Sequence, residues 1–191
     1  MNKIILFSGG KDSLGLVCDS LQQGQEVLLL HFCYDHSANE SELAAVKKLY
    51  SIFKLEYNDL IKIKIIDLPF LNTKDMNKSF ARIVYNRNAI FLNIAINLAC
   101  SLGYKIIEFG AVKNDNEDYF DCRKEFVIAM NQISSLWGIK ILAPYVTMTK
   151  QELKPILKKY SKFSSSCYDP IFINLNWVAC KKCNSCLEGK E

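Results

Sequence analysis

A chain of 191 residues, half of them apolar and 23% charged, is long enough for one globular domain with a small appended module. Its formal net charge of +4 is too mild to point to nucleic acid, and no long basic stripe occurs, so no direct nucleic-acid binding is expected. No apolar run reaches membrane-spanning length and Met1-Asn2-Lys3 does not begin a signal peptide, so a cytoplasmic protein without a membrane partner is expected.

In chain order, Ile4-Ile5-Leu6-Phe7 reads as a short strand, followed directly by Ser8-Gly9-Gly10-Lys11-Asp12-Ser13 and a segment that can be helical. A strand ending in a glycine pair and then a helix start is suited to an anion site, the alternative reading being a plain strand–turn–helix connection whose serines merely cap. The glycines let backbone approach a phosphate, and the free N–H groups and helix dipole favour negative charge. Ser8 and Ser13 add hydroxyls, Lys11 a cation, and Asp12 a ligand for Mg2+. A Walker loop is excluded because Asp12 follows Lys11 and the upstream glycine is missing; adjacent glycines exclude the Rossmann pattern.

Further strands are predicted at 27–32, 61–66, 106–109 and 139–142. Between them run helical apolar stripes: Leu43/Val46/Tyr50/Phe53, then Ile90 through Leu102, Phe126/Met130/Ile133/Trp137, and Leu153/Ile156/Leu157/Tyr160. Thr149 and Glu152 form a capping-box signature ahead of the last. The alternation predicts an α/β fold, a parallel sheet with helices on both faces. Ligands of such sheets bind beyond the strand C-termini, so the 8–13 turn, the 34–39 loop and the 110–122 loop should share one rim. His31, inside a strand, reads as a satisfied core residue, and His36 with Asp35 as a rim residue that could touch substrate.

Eight cysteines without a secretory signal favour metal or redox roles over disulfides. Cys18, Cys33 and Cys100 lie in apolar segments and read as small buried thiols. Cys180, Cys183 and Cys186 are two residues apart each, and Cys167 lies twelve residues before them. Four such thiolates match a closed tetrahedral Zn2+ site, its excess charge partly offset by Lys181 and Lys182; an iron–sulfur cluster is the competing reading. The expected division is a phosphate-binding α/β domain over 1–160 and a four-cysteine zinc-binding tail over 161–191 packed on it, the metal pinning the C-terminus without doing chemistry. Apolar residues 171–173 and 177–178 offer either an interaction surface or, as the favoured reading, a contact between tail and domain.

The opening turn resembles the PP-loop signature of the ATP pyrophosphatases. With Asn86-Arg87-Asn88, the stretch from Asp118 to Phe126, Ser166-Cys167-Tyr168 and the cysteine knot, nearly the whole chain resembles the QueC-type 7-cyano-7-deazaguanine synthase family. The resemblance implies an adenine nucleotide α-hydrolase-like fold, a homodimer, and ATP-dependent conversion of 7-carboxy-7-deazaguanine and ammonia to the nitrile. That is a ligase chemistry in which the carboxylate and then the amide are adenylated. Ser8, Gly9, Gly10, Lys11, Ser13 and a magnesium on Asp12 would take the leaving pyrophosphate. Arg87, beside Asn88, reads as a clamp on the α-phosphate or carboxylate, or as a surface arginine behind an Asn86 N-cap. Asp121 and Arg123 read as contacts to the guanine-like edge or the carboxylate, or as a loop ion pair. Cys122 between them reads as packing or pocket lining. The Gly-Gln-Arg expected after Tyr34 is missing. An acceptor other than ammonia, such as a protein amine in a defence or DNA-modification system, is therefore the alternative reading, and a non-catalytic nucleotide-binding subunit is the second.

Overall fold

A computed structural model describes residues 2–72, 84–115, 119–157 and 159–188. Five strands, β1 (Lys3–Leu6), β2 (Val27–Asp35), β3 (Ile61–Asn72), β4 (Ile106–Phe109) and β5 (Lys140–Leu142), form one sheet of order β3-β2-β1-β4-β5. Every pairing is parallel. β1 is central and buried along its whole length, which is why it reads as a continuous apolar run rather than an alternating one.

Helices α1 (Lys11–Gln22), α2 (Asn39–Tyr57) and α5 (Lys150–Leu157) cover one face, packing Leu14, Val17, Val46, Leu49, Phe53 and Leu153 on Ile5, Phe7 and Leu29. Helices α3 (Arg87–Leu102) and α4 (Lys124–Ser134) cover the other, packing Leu92, Ala95, Ala99 and Met130 on Ile4, Leu6, Leu30 and Ile107. The chain runs outward from β1 through β2 to β3, then returns to β4. That reversal opens a crevice beyond the ends of β1 and β4, where ligands of such sheets bind. No helix among the described residues is long and apolar enough to cross a membrane.

Several expectations are corrected. β2 continues to Asp35 and β3 to Asn72 because the two strands keep pairing past a register shift between Cys33 and Asp35. The loop expected at 34–39 is therefore confined to residues 36–38, and Tyr34 is a buried strand residue. Cys100 is exposed, unlike Cys18 and Cys33. One residue beyond buried Ala99 turns the side chain about 100° around the helix, off the buried face. The stripe in α4 fails at its end: the helix stops at Ser134, a 3-10 turn follows, and Ile133 and Trp137 are 44% and 55% exposed. Asn86 occupies the N-cap position of α3, but its backbone is left-handed (φ 58°) and its side chain makes no capping bond, so it is no ordinary N-cap.

After α5 the chain returns to the crevice. The Ser165 N–H donates to the Gly9 carbonyl at 3.0 Å, and Ser37 Oγ donates to the Tyr168 carbonyl at 2.6 Å. A hairpin, β6 (Ile171–Ile173) and β7 (Asn176–Val178), and a short α6 (Asn184–Glu188) complete the tail. The hairpin turns through Asn174 and Leu175, both at positive φ. Ile171, Phe172, Ile173, Leu175 and Val178 are exposed, so this apolar segment is not the contact between tail and domain. Backbone bonds from residues 165–168 make that contact instead.

Candidate active site

The turn between β1 and α1 is set by Gly9, whose φ of +81° strains any L side chain. A Cβ there would also sit 3.1 Å from Val46 Cγ2 and 3.2 Å from the Glu42 carbonyl. Ser8 Oγ accepts the Gly10 N–H at 3.2 Å, Ser13 Oγ donates to the Gly10 carbonyl at 3.1 Å, and the two serine hydroxyls are 3.2 Å apart. From the far side Gly110 presses on the start of α1, where a Cβ would come within 2.8 Å of the Ser13 nitrogen. The turn is therefore clamped between α2 and the loop after β4.

A cavity of about 600 Å³ opens over it, within the usual range for small-molecule sites. Ser8, Gly10, Lys11, Asp12 and Ser13 line it. Tyr34, Arg87, Asn88, Phe91 and Cys122 bound it beside α3, while Lys150, Leu153, Lys154 and Leu157 bound it beside α5. The three expected rim segments thus meet. The tail adds Ser165, Ser166, Tyr168 and Ser185. Sequence reasoning gave the tail only a pinning role and missed these, although Ser166 and Tyr168 flank the metal-site Cys167.

Arg87 is no surface arginine. Its Nη1 donates to Tyr34 Oη at 2.9 Å, and its guanidinium lies 5.8 Å from the centre of the Phe91 ring. Burial works against its charge, but the neighbouring Tyr34, Glu42 and Asp121 outweigh that and hold it protonated. Asp121 does not line the cavity. Its Oδ2 accepts the Asn88 N–H at 3.0 Å, and Asn88 Nδ2 donates back to the Asp121 carbonyl at 3.1 Å. Asp121 therefore caps α3 from another segment. Arg123 also stays out of the cavity lining, its guanidinium 4.1 Å from the centre of the exposed Phe120 ring. Asp118, in the same motif, lies outside the described residues. Cys122 lines the cavity, and burial first, then Asp121, pushes its thiol up to about 12, so it packs as a neutral group.

His31 is buried as expected but only half satisfied. Nδ1 must donate, since it lies 2.8 Å from the Phe7 carbonyl, while Nε2 has no hydrogen-bond partner among the described residues. Burial lowers its pKa. His36 lines the cavity with its ring stacked 4.1 Å from Tyr34, and its Nε2 lies 3.8 Å from Glu42 Oε2. Glu42, on the first turn of α2, also lines the cavity and was missed. Its only signal in the sequence is its place just after the rim loop.

The Sγ atoms of Cys167, Cys180, Cys183 and Cys186 all lie within 4.8 Å of one another. A tetrahedral ion with metal–sulfur bonds of about 2.3 Å sets sulfurs about 3.8 Å apart, and Cys167 and Cys183 are at 4.0 Å. A four-iron cluster interposes its own irons and sulfides and spreads the thiolates further. The spacing therefore fits a single ion. Backbone N–H groups of Cys180, Cys183 and Tyr168 point at the sulfurs of Cys167, Cys180 and Cys183, and those of Lys182 and Cys183 help hold the Cys180 thiol down to about 6. Lys181 and Lys182 are exposed.

A family model described as "Queuosine biosynthesis protein QueC" matches residues 2–191. The 7-cyano-7-deazaguanine synthase of Caldicellulosiruptor bescii is 33% identical over 214 aligned residues, covering 100% of this chain and 91% of that protein. The 7-cyano-7-deazaguanine synthase of Archaeoglobus fulgidus is 30% identical, covering 100% and 85%. Among solved structures, a 4-thiouridine synthetase in complex with RNA and bound ATP superposes with a TM-score of 0.63 at 17% identity, over 95% of this chain and 44% of that one. That likeness shows the fold. With the Ser8 to Ser13 turn at the centre of the crevice and the family match running through the cysteine cluster, the chain belongs to the QueC family of PP-loop proteins.

Proposed function

We propose that this chain is the ATP-dependent synthase of 7-cyano-7-deazaguanine, a ligase that activates 7-carboxy-7-deazaguanine and joins it to ammonia. The observation carrying the reading is that the phosphate turn and Arg87 line one cavity, as an enzyme must that brings the α-phosphate of ATP to a carboxylate. A carboxylate becomes electrophilic once its oxygen forms a mixed anhydride with AMP. The protein's task is to align the two and stabilise departing pyrophosphate. In this reading Ser8, Gly9, Gly10, Lys11 and Ser13 hold the β- and γ-phosphates, Asp12 holds Mg2+, and Arg87 clamps the α-phosphate or the carboxylate. Asn88 and Asp121 position Arg87, and Arg123, next to the cavity-lining Cys122, reads the guanine-like edge or the carboxylate.

Zinc on Cys167, Cys180, Cys183 and Cys186 supplies structural cross-linking of the tail. Residues 1–160 would form the nucleotide-binding domain and 161–191 the tail packed upon it, in a cytoplasmic homodimer. The names of the relatives favour ammonia as the acceptor. Neither the protein-amine acceptor nor a non-catalytic subunit finds support among them.

Incubation with ATP, 7-carboxy-7-deazaguanine and ammonium, followed by mass spectrometry, tests the proposal. Nitrile with AMP and pyrophosphate is expected. AMP and pyrophosphate without amide or nitrile would point to another acceptor, and no pyrophosphate would remove the enzymatic reading.

A further inference from the structure

Four polar side chains from four segments meet on the α2–α3 side of the cavity: Tyr34 of β2, His36 of the following loop, Glu42 of α2 and Arg87 of α3. Two already have settled partners. Arg87 donates to the Tyr34 hydroxyl, and the Tyr34 ring holds the His36 imidazole by stacking at 4.1 Å and 24°. The other two face each other across a gap. Glu42 Oε2 is 3.8 Å from His36 Nε2, too far for a hydrogen bond, and Nε2 is closed off from solvent without a hydrogen-bond partner among the described residues. A buried ring nitrogen with no partner among the described residues, beside a carboxyl oxygen, is satisfied when a single proton lies between the two.

We propose that Glu42 is the proton acceptor for the nitrogen nucleophile, and that His36 is the positioning residue whose Nε2 receives the Glu42 O–H once it has formed. This rests on the synthase reading above. Ammonium is almost wholly protonated at neutral pH and has no lone pair, so it must lose a proton before it can attack. In the step assigned here an ammonium N–H proton passes to Glu42. The freed nitrogen lone pair forms the C–N bond, the C–O bond of the mixed anhydride breaks, and AMP leaves with that electron pair; the second proton, shed by the nitrogen as it becomes a neutral amide, leaves on the AMP phosphate. The proton on Glu42 then passes to water, and no redox partner is required.

The surroundings suit the task. Burial raises the Glu42 carboxyl to about 7 against the opposing pull of Arg87, so it exchanges protons near neutrality. Burial, Arg87 and His31 lower His36 to about 4, which keeps it neutral and able to accept. The other titratable groups acting on this corner are Tyr34 and Cys33 of β2, both raised by burial, His31 of β2, lowered by burial, and Asp35 next to His36, with Lys47 farther along α2.

The test separates activation from nitrogen transfer in the full chain. Glu42→Gln should keep the rapid burst of one pyrophosphate per chain with ATP and the deazaguanine acid. Its amide and nitrile formation from ammonium at pH 7 should fall about 100-fold. Hydroxylamine, already neutral at pH 7, should restore product to within about threefold of wild type. His36→Phe keeps the stacking on Tyr34 and removes the acceptor, so the acid limb of the pH–rate profile should move to lower pH. The assignment is overturned if Glu42→Gln matches wild type with ammonium, if it loses the burst as well, or if hydroxylamine suffers as much as ammonium. It is also overturned if the acid limb stays put in His36→Phe. A wild-type chain with no burst removes instead the synthase reading, and the assignment with it.

Discussion

Asp121 caps a helix to which it does not belong: its carboxylate accepts the Asn88 N–H at 3.0 Å, one residue past Arg87. A negative charge at a helix N-terminus also complements the dipole. Asp121 thereby fixes where Arg87 leaves the backbone and points into the cavity.

Replacing Asp121 by Ala should cost about 1–2 kcal/mol, the usual loss for a removed cap. It should also raise the KM for ATP or acid by misplacing Arg87. Asn, which still offers an accepting oxygen, should recover most of the stability. Urea denaturation beside steady-state kinetics checks both, and equal losses for Ala and Asn would refute the capping role.

Gly110→Ala places a methyl 2.8 Å from the Ser13 nitrogen and 2.9 Å from the Asp12 carbonyl carbon, and neither backbone atom can give way cheaply. Overpacking of this kind costs about 1–3 kcal/mol. Because the displaced backbone is the phosphate turn, pyrophosphate release should fall at least about tenfold even where the protein remains folded. Gly103→Ala, at φ +79° with nothing within 4 Å of the added Cβ, is the control that loses stability through backbone strain without touching the turn.

Cys183→Ser removes one of four ligands, and its sulfur also accepts the Tyr168 N–H. Metal analysis should find one zinc per wild-type chain, no iron or sulfide, and little metal in the variant. Because metal binding and folding are coupled, residues 165–168 should lose hydrogen-exchange protection. The KM for ATP should rise as Ser165 lets go of Gly9. Iron and sulfide at cluster stoichiometry would overturn the zinc assignment.

Burial holds His36 at about 4 against an ordinary 6.5, with Arg87 and His31 adding to the effect. Between those values the unfolded chain binds the extra proton, so the His36 contribution to stability falls as pH drops from 6.5 toward 4, by at most about 3.4 kcal/mol. Glu42, raised to about 7, contributes in the opposite direction between 7 and 4.5, so the His36 effect is read as the difference between wild type and variant. His36→Phe should flatten that limb in thermal melts recorded from pH 4 to 7. An unchanged slope would show that His36 already titrates freely in the folded protein.

The sequence by itself determined the elements that local chemistry encodes. The apolar runs at β1, β2 and β4, the glycine-pair turn at residues 8–13 and the cysteine spacing each carry their meaning within a few residues. The parallel sheet, the rim and the four-cysteine cluster could therefore be read directly. Tertiary structure decided the rest, because it depends on which distant segments meet. Asp121 and Arg123 have similar credentials in sequence, yet one caps α3 and the other stacks on Phe120. Cys100 looks as apolar in context as Cys18, and only the rotation of α3 exposes it. Glu42 is one of many acidic residues near a helix start. Its burial beside His36 and Arg87 follows from the packing of α2 against the phosphate turn and the crossing of α3 to the opposite face, which no short window of sequence contains.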